Sequence, residues 1–159
     1  MCIRDRTCTT ADIKCVEALA EIAGIEDYKA LGMEMFEVKS AVAGTPVRDL
    51  VMRDFKDFNM HGNKVGIGQL ELINLNLVDD MKADLQADIA TLKEEGDYHS
   101  VLLVLTDIMK EGSEVLVVSN NDDLTEKAYG AKTVDGKVWI DGIMSRKKQV
   151  VPPLQDSLA

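Results

Sequence analysis

Five consecutive apolar residues, Val101-Leu102-Leu103-Val104-Leu105, constrain the fold of this chain more than any other feature. A strand with one wet face alternates apolar and polar side chains. An unbroken apolar run bounded by turn signals therefore predicts a strand covered on both sides. A second such strand is expected over 114–118, after Glu111-Gly112-Ser113. Two covered strands need layers of other elements above and below them.

The neighbouring sequence supplies those layers. Asn76 is placed to cap a long amphipathic helix in which Val78, Met81, Leu85, Ile89 and Leu92 recur every three or four positions, ending at Gly96. Upstream, Phe55 and the alternation Val65, Ile67, Gln69 flank His61-Gly62-Asn63, which is good turn chemistry for a hairpin or a pair of adjacent strands. Downstream, a short helix is expected over 122–129 and a short strand over 137–140, with Pro152-Pro153 closing ordered structure. A hairpin is antiparallel, whereas helical crossovers favour parallel neighbours. The expected class is α/β, a mixed β-sheet flanked by helices.

The N-terminal part reads differently. Thr9 or Thr10 can cap a helix carrying Val16, Leu19, Ala20 and Ala23 at helical spacing, and Gly24 is placed to end it. A second helix over 26–39 puts Leu31, Met35 and Val38 on one side. Ala43-Gly44-Thr45-Pro46 then breaks the pattern, and Pro46 suits the first position of a short helix through Val51. The domain proper is expected to start near Ser40.

With 18 basic against 28 acidic residues the chain carries a net charge of -10. That excludes broad electrostatic binding of nucleic acid or anionic lipid, so any anion site must be a local concentration of positive charge. No apolar run approaches the roughly 20 residues of a membrane span, and residues 1–6 lack the apolar core of a secretion signal. A cytoplasmic location without membrane or nucleic-acid partners is the expectation. Cys2, Cys8 and Cys15 show no Cys-x-x-Cys spacing and have no histidine among them, so a buried reduced thiol is expected rather than a zinc site. His61 and His99 are the only histidines. One is expected in a hairpin turn and the other before a buried strand, both facing solvent.

Against the acidic background stands Ser145-Arg146-Lys147-Lys148-Gln149, with three adjacent cations followed by Val150-Val151-Pro152. Arginine offers a planar fork for two phosphate oxygens and lysine a compact point charge, so together they can neutralise a polyanion. Composition alone reads the same run as a solvated basic turn.

These residues, with Phe55-Lys56-Asp57-Phe58, the strand over 65–69 and Thr106-Asp107-Ile108, resemble the C-terminal domain of the family II inorganic pyrophosphatases of the DHH phosphoesterase superfamily. The resemblance runs in order from about Thr7 to Asp156. It implies a DHHA2-type substrate-binding domain over 40–156, preceded by a remnant helix of a DHH domain plus linker over 7–39 and a non-native start over 1–6. It further implies that Lys56, Arg146 and Lys147 contact the oxygens of inorganic diphosphate, whose hydrolysis gives two phosphates. Manganese would be held by an N-terminal DHH domain, with magnesium accompanying the substrate. Lys148 and Gln149 receive no direct role.

The sequence departs from that family in one respect: it contains no Asp-His-His segment and no His-x-x-x-Asp-x-Asp stretch. No metal ligands are assigned within it, and the chain alone is expected to be inactive. Two further readings stand beside the pyrophosphatase one: an autonomous diphosphate- or polyphosphate-binding module, and an exopolyphosphatase fragment. The intact Ser-Arg-Lys-Lys-Gln segment favours the pyrophosphatase over the exopolyphosphatase.

Overall fold

The computed structural model describes residues 9–159. The start at 1–6, Cys2 and Cys8 lie outside the described residues. The chain divides into two compact units, one ending at Ala41 and the other running from Val42 to Ala159.

The first unit holds α1 (Thr10–Ala23) and α2 (Tyr28–Lys39). Thr9 caps α1 through a reciprocal pair with Asp12, and Gly24 ends it in the left-handed region at φ 68°. The second helix begins two residues later than the sequence pattern suggests, because the Asp27 carboxylate accepts from the amides of Lys29 and Ala30. Leu31, Met35 and Val38 are exposed, as are Leu19 and Ile22. Cys15 is also exposed. That overturns the expected buried thiol: the spacing fixes which residues share a helical face but not whether that face is covered.

The second unit is a five-stranded mixed sheet in the order β1-β2-β3-β4-β5. The strands are β1 (Lys56–Met60), β2 (Asn63–Leu72), β3 (Ser100–Asp107), β4 (Gly112–Ser119) and β5 (Lys137–Asp141). Only β2 and β3 run parallel, and the remaining pairs are antiparallel. The parallel pair needs a crossover, which a 3-10 helix (Leu75–Met81) and α4 (Lys82–Glu95) provide. α3 (Val47–Met52) precedes β1, α5 (Leu124–Tyr129) follows β4, and α6 (Val151–Ser157) ends the chain.

Every residue of β3 is buried, as its apolar run predicts. Its side chains alternate between two cores. Val101, Leu103 and Leu105 join Leu50, Val78, Leu85 and Ile89 on the face covered by α3 and α4. Leu102 and Val104 join Val65, Ile67, Val138, Val150 and Leu154 on the opposite face, under α5 and α6. Each fully buried leucine or isoleucine contributes about 1.5–3 kcal/mol over leaving it in water.

Three local expectations need correction. The helix over 76–96 is capped by Asn74, whose side chain accepts from the Asn76 amide, and its first turns wind as a 3-10 helix before α4 begins. Pro46 lies immediately before α3, at its cap rather than inside it. Pro152-Pro153 does not end ordered structure. Both prolines sit in the first turn of α6, where the missing N–H groups have no intrahelical acceptor to lose.

Candidate functional site

The β1–β2 hairpin carries Lys56. Its turn is built from His61 and Gly62 at φ 52° and 88°, and the Asn59 side chain accepts from the Gly62 amide at 3.0 Å. Register pairs Lys56 with Ile67, Phe58 with Val65 and Met60 with Asn63. Directly paired antiparallel residues share a face. Lys56 therefore lies on the Ile67 side, the side covered by α5 and α6. Phe55, on the other side, lies over two glycines of β2: a Cβ at Gly66 would fall 2.2 Å from the Phe55 ring, and one at Gly68 would fall 2.9 Å from the Val51 carbonyl oxygen. The ring also meets Tyr98 edge-on at 5.9 Å between centroids. This glycine-backed seat fixes Phe55, and with it Asp54 and Lys56 on either side.

The basic segment follows β5 as a single π-helical turn, Arg146–Val150, capped by the Ser145 hydroxyl. Wide turns of this kind are rare and are frequently found at functional sites. Arg146 is 7% exposed, so the expected solvated turn holds for its neighbours and not for the arginine. Its guanidinium crosses to the hairpin. One terminal nitrogen donates to the Asp54 carbonyl and to the Ile67 carbonyl, the latter at 3.1 Å; the other donates to the Asp54 carboxylate at 2.9 Å.

Arg146 thus meets β2 at the backbone carbonyl of Ile67, the residue opposite Lys56. The Arg146 guanidinium reaches the hairpin backbone next to Lys56, bonding Asp54 across a separation of 92 positions. Lys147 follows on the same turn and is exposed, as is Lys56. Among the described residues neither lysine makes an ion pair.

Sequence reasoning missed Asp54, the counter-ion of Arg146. It also missed a buried polar chain beneath the segment, in which the Gln69 amide donates to the Thr106 hydroxyl at 2.9 Å and Thr106 meets the Ser113 hydroxyl at 3.0 Å. Polar residues in otherwise apolar strands were the available signal for this chain.

An open cleft of about 510 Å³ at the turn end of the hairpin is lined by Asn63, Lys64, Tyr98, His99 and Asn120, among others. Its lysine is committed: Lys64 donates to the Gly96 carbonyl at 2.7 Å and sits 4.1 Å from the Tyr98 ring centroid. The Tyr98 phenol, buried and donating to Asp57 at 2.6 Å, is pushed up to about 12. His61 is exposed in the turn, whereas His99 is half-buried with Nδ1 2.7 Å from the Ser100 hydroxyl. Among the described residues no group of three or more His, Cys, Asp or Glu side chains could hold a metal ion, and no helix is long and apolar enough to cross a membrane.

Fold and site together define a mixed-sheet α/β domain whose one concentrated run of cations is anchored to its edge hairpin by a buried arginine. The sequence profile of the DHHA2 domain matches residues 33–157, and the chain belongs to that family. It is 46% identical over 98% of its length to a probable manganese-dependent inorganic pyrophosphatase of Archaeoglobus fulgidus, covering 48% of that protein. Identity is 45% over 94% of the chain with the manganese-dependent inorganic pyrophosphatase of Methanocaldococcus jannaschii, again covering 48% of the relative. The crystal structure of a Methanococcus jannaschii putative family II inorganic pyrophosphatase superposes with a TM-score of 0.85 at 40% identity, over 98% of this chain and 50% of that one. The chain spans about half the length of the curated relatives it matches.

Proposed function

We propose that this chain is the substrate-clamping part of a manganese-dependent inorganic pyrophosphatase, receiving diphosphate for hydrolysis to two phosphates in the cytoplasm. The observation that carries this reading is the anchoring of Arg146 beside Lys56, with Lys147 on the same turn, in a protein of net charge -10. Residues 40–156 form the clamp in this reading, and residues 7–39 belong to a DHH domain and its linker. Diphosphate and that DHH domain are the partners.

Each cation has its own part. A guanidinium has five N–H donors, and the bonds to Asp54 and Ile67 use three of them. The remaining two serve a phosphate oxygen, and the charge stays fixed because the other bonds hold the group in place. Lys56 and Lys147, both exposed, close on the outer oxygens. Hydrolysis moves negative charge onto the leaving phosphate, so cations held around it stabilise the transition state more than the free substrate.

The residues described here do not fit a metal centre, since no ligand cluster exists among them and His99 is engaged by Ser100. Manganese, and any magnesium carried by the substrate, would have to be held outside this chain's described residues.

Titration of the whole chain with diphosphate at low ionic strength, by calorimetry, tests the clamp. Lys56→Ala and Lys147→Ala, both at exposed positions, are expected to weaken binding with the fold intact. Variants that bind as tightly as the unsubstituted chain sink the assignment.

A further inference from the structure

We propose that Gln149 is a positioning residue for the cationic turn: its side-chain amide fixes the loop that sets where Arg146 and Lys147 stand. The inference rests on the clamp reading above and adds to it a residue that carries no charge.

The loop from Gly142 to Ser145 leaves the sheet after β5 and has no strand partner. Its backbone polar groups must nevertheless be satisfied. The Gln149 side chain does much of this alone. Its Oε1 accepts from the amides of Met144 and Ser145, both at 3.1 Å, and its Nε2 donates to the Gly142 carbonyl at 2.7 Å. Two donors on one side and an acceptor on the other also settle which way the amide points. Glutamate cannot supply the N–H, and leucine or methionine supplies neither group.

Side chains of the sheet take the next two carbonyls. Ser113 donates to Ile143 at 2.7 Å and Gln69 donates to Met144 at 3.2 Å. The backbone N–H of Gln149 takes the fourth, that of Ser145, at 2.9 Å. All four carbonyls are thereby accounted for, and three of the four acceptor bonds come from side chains. The loop's shape is specified by these residues rather than by a ladder.

That shape matters because the loop delivers the π-helical turn. Ser145, held by Gln149, caps the turn through its hydroxyl and the Lys148 amide at 3.4 Å. Arg146 is the next residue, and its guanidinium must reach Asp54 and Ile67 across the sheet edge. An arginine fork discriminates by geometry, so a shift of the Arg146 backbone degrades its contact with a phosphate even though no charge is lost. Removing Gln149 leaves net charge unchanged, which separates a positioning role from an electrostatic one.

The test uses the whole chain, well below its melting temperature, with diphosphate as ligand. Calorimetry gives affinity, and amide exchange reports Met144 and Ser145. Gln149→Met, and Gln149→Asn with the same amide one methylene shorter, are expected to weaken diphosphate binding at least tenfold, equivalent to about 1.4 kcal/mol. Exchange at Met144 and Ser145 should quicken while Leu102 to Leu105 stay protected. Leu85→Ala, in the core on the opposite face, should lower the melting temperature and leave affinity unchanged. Gln149 variants that are folded and bind as the unsubstituted chain does overturn the inference, as does an affinity loss in Leu85→Ala that matches theirs. If Lys56→Ala and Lys147→Ala also bind normally, it is the clamp reading that fails. Should the unsubstituted chain bind no diphosphate, both fall.

Discussion

Replacing Arg146 by alanine tests the anchoring directly, because the structure gives each consequence a size. Three hydrogen bonds from a buried cation disappear: two to the backbone carbonyls of Asp54 and Ile67, and one to the Asp54 carboxylate. Hydrogen bonds to charged groups contribute about 1.5–3 kcal/mol each when both partners are dry. The Asp54 side chain is 49% exposed and rehydrates, so its share is that of a screened pair, about 0–1 kcal/mol. The Ile67 carbonyl sits within the sheet and recovers less. The sum comes to about 3 kcal/mol, at the lower end of what breaking a buried pair costs. For a chain of this size that lowers the melting temperature by roughly 6–12 °C. Asp54→Ala removes only the screened part and should cost about 1 kcal/mol or less, since both carbonyl contacts survive. Urea unfolding followed by far-ultraviolet circular dichroism measures both. An Arg146→Ala cost below that of Asp54→Ala would refute the view that the backbone carbonyls, rather than the carboxylate, hold the guanidinium.

Other consequences follow from the same contacts. Gly66→Ala should displace Phe55 from its seat, destabilise the domain by about 1–3 kcal/mol in urea unfolding, and weaken diphosphate binding through Lys56. For alkaline stability the sign follows from the Tyr98 phenol, whose folded pKa of about 12 exceeds its ordinary value of 10.0. Its contribution is whole below pH 10 and is lost as the pH rises toward 12, so Tyr98→Phe should flatten that limb of the stability profile. Amide exchange should be slow through Val101 to Leu105, buried on both faces, and fast in α2, where Met35 and Val38 are 65% and 78% exposed. Equal protection of the two would contradict the burial pattern.

What could be read from the sequence was what depends on local pattern. The apolar run of β3 and the His61-Gly62 turn each specify one conformation, and both hold. Asn74 and Asn76 are equally good caps by residue type. In the structure the Asn74 side chain accepts from the Asn76 amide, and the 3-10 turns that follow bury Leu75 and Val78. Pro152 and Pro153 read as breakers because the same residues end one element and begin another. Cys15 illustrates the limit of periodicity, which assigns faces without saying what covers them.

At the candidate site, the family resemblance singled out Lys56, Arg146 and Lys147 but could not show that Arg146 is buried. Its partners lie in a hairpin far back along the chain, and no local signal connects Asp54 with the π-helical turn. Gln149 was visible within the motif but had no readable role, since its three partners are backbone groups of a loop whose shape only the fold reveals.

The central claim is that three cations from two distant segments form one diphosphate site, and amide chemical shifts during a diphosphate titration of the labelled chain test it most directly. One saturable isotherm should describe the shifts at Asp54 to Lys56, at Ile67 and at Ser145 to Lys148, weakening together as salt is raised. Shifts confined to the Lys64 and His99 cleft, or separate isotherms for the hairpin and the basic turn, would contradict it.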